Sequence, residues 1–160
     1  MKTAQQWFSE YAESHQNTTN KAIHWLAVPV IYATVFGLLW SVPMPLAGLA
    51  ASQINWAMLI AVPVLVFYFS LSFALGAGMT LFTALVFSLL RWHELALAWP
   101  LWQSSLLLFV LMWLLQFIGH RIEGKKPSFF QDIFFLLIGP AWLLSFVLQR
   151  LGIRYQRRCD

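Results

Sequence analysis

From residue 22 to residue 90 the chain contains no Asp, Glu, Lys or Arg. A run of that length has no polar face to offer to water. Residues 22–40 are apolar over about the roughly 20 residues a bilayer crossing needs. Pro43, Pro45 and Gly48 mark a loop after them. Residues 54–90 are too long for one crossing and suit two, with Gly76 and Gly78 as the predicted turn. Arg91, His93, Glu94 and Pro100 form the next polar break, and residues 101–118 predict another span. The basic loop 119–127 (GHRIEGKKP) follows. Ser128 with Gln131 matches a capping box that opens a last helical segment, 129–148, predicted to break at Gly139-Pro140. Before the first span, residues 3–14 place Trp7, Phe8 and Tyr11 on one side and Glu10 and Glu13 on the other, an amphipathic helix suited to an interface. The HQNTTN segment, residues 15–20, is dense in turn and cap formers.

The pattern predicts an all-α, polytopic membrane bundle with four spans plus a C-terminal broken helix or helical hairpin. It is read as one integral membrane domain, 1–160: an interfacial helix and turn over 1–20, the bundle over 22–148 and a basic tail over 149–160. Composition agrees, with 60% apolar and only 10% charged residues, against about 25% charged in soluble domains. A disordered chain, a disulfide scaffold and a nucleic-acid-binding arm are excluded, because the net charge of +4 comes from basic residues at span ends, where membrane lipid headgroups attract them. The lone cysteine, Cys159, has no internal partner. The polar residues 1–20 are unlike a cleavable signal peptide. Lys2 and Lys21 put the N-terminus in the cytoplasm, and four passes return Arg121, Lys125 and Lys126 there. A fifth pass would carry Arg150, Arg154, Arg157 and Arg158 across, so 129–148 is predicted to dip in and return, a fifth span being the alternative. The membrane is the inner membrane of a bacterium or the endoplasmic reticulum of a eukaryote, with the active-site face cytoplasmic.

Three of the four histidines, His15, His24 and His120, fall at that face. His24 lies just inside the first span, where an ionisable residue is costly and suggests function; an interfacial histidine bonded to headgroups is the alternative. His15 and His24 are nine residues apart and would face opposite ways on one helix, so they converge only if 15–20 breaks it. His120 and Glu123 share a helical face if the span continues that far. Asp132 suits the first turn of a helix. His93 sits at the opposite face and reads as a loop residue. Imidazoles with carboxylates suit a first-row metal without naming it. Bound imidazoles usually donate their second N–H to a carboxylate or carbonyl, which gives Asn17, Asn20, Glu123 and Asp132 supporting roles. No G-x-S-x-G elbow, phosphate-binding loop or cysteine redox pair occurs.

Two blocks, His15-x-Asn17 with Asn20, Ile23-His24 and Val28-Pro29, then Gln116 to His120 with Glu123, Lys125-Lys126, Pro127 and Asp132, resemble the membrane-bound 2-hydroxy fatty acid dioxygenase family of α-oxidation. The resemblance implies an Fe(II)-dependent oxygenase acting on a 2-hydroxy fatty acid and O₂, cleaving its C1–C2 bond to leave an acid one carbon shorter. It implies His15, His24 and His120 as the catalytic iron ligands, joined by Glu123. Lys21, Arg121, Lys125 and Lys126 would draw the substrate carboxylate, or else serve only as positive-inside residues. The competing readings are a non-enzymatic lipid-binding or transporter-like membrane protein and a zinc-dependent membrane hydrolase.

Overall fold

A computed structural model describes residues 2–48, 52–126 and 134–155. Among these, every regular element is helical and no strand occurs. The helices are α1 (Ala4–Ala12), α2 (Thr18–Ser41), α3 (Trp56–Leu71), α4 (Phe73–Ala96), α5 (Leu101–Glu123) and α6 (Phe135–Arg150). A capping box starts α1: Thr3 Oγ1 accepts from the Gln6 backbone, and the Thr3 backbone donates to Gln6 Oε1. Its apolar face (Ala4, Trp7, Phe8, Tyr11) is buried, against Phe135 and Trp142 of α6. The chain breaks after α1 as the HQNTTN composition predicts. Asn17 then caps α2, its side chain accepting from Thr19 and Asn20.

Four helices run up and down. α2 and α5 are antiparallel and closely packed, because glycines remove the obstructing side chains at both ends: Gly37 meets Ser105 and Gly119 meets Asn20. α3 and α4 are also antiparallel, with Asn55 and Met58 near Arg91 and Glu94 around one cleft. α1 and α6 close the opposite end. Leu144 of α6 meets Gly78 of α4, and Phe146 meets Trp25 of α2.

Two expectations change. The turn in residues 54–90 falls at Ser72, not at Gly76 and Gly78. Ser72 is extended (φ −169°, ψ 145°), ending α3 and beginning α4; Gly76 is inside α4, where it makes room for the Phe69 ring. The break at Gly139-Pro140 does not form either. α6 runs through Pro140, so no helical hairpin lies within Phe135–Arg150. The proline removes one N–H and leaves the Leu136 carbonyl without its helical donor, but Gly139, Pro140 and Ala141 are all buried, and Tyr68 Oη ties the preceding turn to α3 by donating to the Leu137 carbonyl (2.9 Å). Packing offsets a cost of about 3 kcal/mol. The predicted capping box at Ser128 and Gln131 lies outside the described residues. Among the described residues, three helices are long and apolar enough to cross a membrane, α2, α4 and α5, which leaves the fourth predicted span unconfirmed. α3 has 16 residues, about 24 Å, short of a roughly 30 Å hydrocarbon layer.

The burial pattern is inverted relative to a water-soluble bundle. Val62, Val66, Phe73, Leu81 and Leu107 are exposed, while Asn20, Thr34, Thr83, Ser105 and Gln116 are buried. Such an exterior suits hydrocarbon.

Candidate metal centre

The break at residues 13–17 lets the chain turn back, and three histidines meet where α1 ends, α2 begins and α5 ends. His15, His24 and His120 are buried, with 1%, 1% and 3% exposure. Their ring centroids lie 4.3 Å (His15–His24), 5.0 Å (His15–His120) and 5.0 Å (His24–His120) apart. One nitrogen from each comes within 4.8 Å of the others, a grouping able to hold a metal ion.

Backbone carbonyls orient two of the rings. His15 Nδ1 donates to the Tyr11 carbonyl (2.6 Å) and His24 Nδ1 to the Asn20 carbonyl (2.9 Å), which leaves each Nε2 as an acceptor. His15 Nε2 and His120 Nδ1 are buried without a hydrogen-bond partner. Unpaired buried polar atoms are costly, and a cation shared by the three rings would satisfy them. Burial, and then the neighbouring His24, push the His15 imidazole down to about 3. It is therefore neutral at pH 7, as a metal ligand must be.

Glu123 stands apart from this trio. Its Oε1 accepts from the Gln16 backbone (2.8 Å), and its Oε2 from the Asn17 backbone (2.8 Å) and Asn20 Nδ2 (3.1 Å). With both oxygens engaged, it brackets the His15 turn to the end of α5. Asn20 strengthens the bracket through Ser14 O (3.1 Å), and Lys125 Nζ through Glu13 O (2.7 Å). Lys21 is half-buried on α2 and Lys126 exposed. Asp132 lies outside the described residues. His93 is at the other end of the bundle, its Nε2 bonded to Ser104 Oγ (2.9 Å).

A cavity of about 300 Å³ opens from the trio. It follows α2 from His24 to Leu39 and is walled on other sides by α3, α5 and α6. The sequence assigned no part in the site to Tyr11, Tyr32, Trp113 or Gln116, which carry the remaining polar groups of this wall. For Gln116 a signal existed: it is one helical turn before His120 in an otherwise apolar run. Among the described residues, no Lys or Arg lines the cavity, so the basic residues expected to draw a carboxylate are not on its wall.

Buried imidazoles at the head of an apolar slot, inside a bundle with an apolar exterior, define a candidate metal centre with room for a lipid-like molecule. The chain belongs to the 2-hydroxy-palmitic acid dioxygenase Mpo1-like family, whose family model matches residues 1–151. This is the family that the two sequence blocks resemble. No curated protein and no solved structure matches the chain.

Proposed function

We propose that this protein is an integral membrane, Fe(II)-dependent dioxygenase that shortens 2-hydroxy fatty acids by one carbon. The observation that carries the reading is the buried trio of His15, His24 and His120, with inward nitrogens that have no protein partner, at the head of an apolar cavity. Membership of the family supports the chemistry. Iron held there would supply open positions for O₂ and for the acid's carboxylate and hydroxyl. The chain's residues do the rest. Tyr11 O and Asn20 O fix two imidazoles in the tautomer that turns Nε2 inward. The Glu123 bracket holds the His15 turn against α5. The apolar walls take up the acyl chain and exclude water from the reacting end.

The whole of 1–160 forms one membrane unit in this reading. It has four passes, α3 being the short one, and the trio lies at the cytoplasmic face. Lys2, Lys21, Arg121 and Lys125 at that end support the orientation. The test is anaerobic reconstitution with Fe(II), followed by O₂ and 2-hydroxypalmitate. Mass spectrometry should find the acid one carbon shorter, and metal analysis should find iron near one per chain. Activity with zinc and without O₂ would sink the oxygenase reading.

A further inference from the structure

Gln116 lies on α5, one helical turn from His120 on the same side. It is 7% exposed and lines the cavity. Nothing among the described residues hydrogen-bonds its side-chain amide. Its amide is therefore open to a hydrogen bond from a molecule in the cavity, at a position otherwise closed off by protein. The remaining polar groups near it are committed or differently suited. The two Nδ1 atoms of His15 and His24 bond backbone carbonyls. Tyr32 Oη pairs with Thr83 Oγ1 (2.7 Å), which itself donates to Met79 O. Gln116 thus stands at the boundary between the imidazole end and the apolar slot, with its donor and acceptor facing the cavity.

We propose that Gln116 is the specificity-determining residue that reads the 2-hydroxyl group of the substrate. The inference rests on the fatty-acid reading above. A hydroxyl both donates and accepts, and of the uncommitted side chains on this wall only a carboxamide offers a strong donor and a strong acceptor on separate atoms. A carboxylate only accepts, and among the described residues no Lys or Arg lines the cavity to pair with it. An acid without the 2-hydroxyl enters the same slot but leaves the Gln116 amide unpaired.

The test uses metal-free protein in lipid nanodiscs and compares binding of 2-hydroxypalmitate and palmitate, so that the readout does not depend on turnover. The native chain should prefer the hydroxy acid by about fivefold, the typical value of one neutral hydrogen bond. Gln116→Met, close to the same volume, should bind palmitate undiminished and lose the preference. Gln116→Asn, which withdraws the amide by one methylene, should keep palmitate binding and show an intermediate preference. Retained preference in Gln116→Met, or equal binding of both acids by the native chain, would overturn the role of Gln116 and leave the fatty-acid reading standing. Failure of the native chain to bind either acid would overturn the role of Gln116, while the fatty-acid reading falls only if the Fe(II)-reconstituted protein yields no shortened acid. If Gln116→Met lost palmitate binding, an unreduced preference in Gln116→Asn would still refute the proposal.

Discussion

His15 joins the trio because its ring stacks on Tyr11 (4.1 Å) and donates to the carbonyl of that same residue. Local structure therefore aims it before any metal arrives. Replacing His15, His24 or His120 singly with Ala should abolish iron-dependent turnover and lower bound iron. His93→Ala should leave both nearly intact, since His93 pairs with Ser104 at the far end. Activity assays with metal analysis check all four. Acid should act on the metal-free fold in a definite direction. His15 titrates near 3 in the folded chain against an ordinary 6.5. Between those values the unfolded chain holds more protons, so stability rises with pH. Its contribution is complete above about 6.5 and is lost as the pH falls toward about 3. The thermal midpoint of metal-free protein should fall over that window, and less steeply in His15→Phe. His24 was legible in the sequence because an ionisable group inside an apolar span is rare and costly. The work of Glu123 was not: H-x-x-E spacing resembles a ligand pair, while the hydrogen bonds that engage both its oxygens come from residues 16–20, more than a hundred positions away.

The long charge-free runs made the helices visible, but not all of their ends. Glycines in an apolar run suggest either a turn or a close approach. Gly76 and Gly78 serve close approach to Phe69 and Leu144, while the turn is made at Ser72, which carries no special turn signal. Likewise Pro140 predicts a break wherever nothing offsets the missing N–H, and the packing that offsets it includes Tyr68, whose bond to the Leu137 carbonyl spans 69 residues. Close approach makes Gly119 a sensitive position. A methyl group there would overlap Asn20 Oδ1, and Asn20 carries bonds to Ser14, Glu123 and His24. Gly119→Ala should destabilise the protein by about 1–3 kcal/mol, the usual cost of overpacking. It should also lower iron content, because the displaced Asn20 supports the His24 ring. Gly48→Ala, whose added methyl would meet nothing within 4 Å, should do neither. Thermal unfolding with metal analysis of the two variants separates a packing defect at the site from a general intolerance of alanine.

At the scale of the whole molecule, the bundle joins a polar end to an apolar slot, and acyl length is the variable that probes this arrangement. From His24 to Leu39 the cavity follows α2 for about 22 Å at 1.5 Å per residue. That exceeds the roughly 15 Å that one leaflet of acyl chain occupies. Val35 and Ile60 line the slot yet remain exposed, and on the proposed function acyl chains would enter there, sideways between helices. Each methylene buried contributes about 0.8 kcal/mol, which at room temperature is about fourfold in affinity. kcat/KM for a series of 2-hydroxy acids should therefore climb steeply from 2-hydroxybutyrate and level off once the slot is full. Leu39→Trp, at the far end of the slot, should move the plateau to shorter chains and leave short acids unaffected, because they never reach it. Val28→Trp, one turn from His24, should depress every member of the series. A flat profile from the four-carbon to the sixteen-carbon acid, or a uniform loss in Leu39→Trp, would mean that the acyl chain lies somewhere other than in this slot.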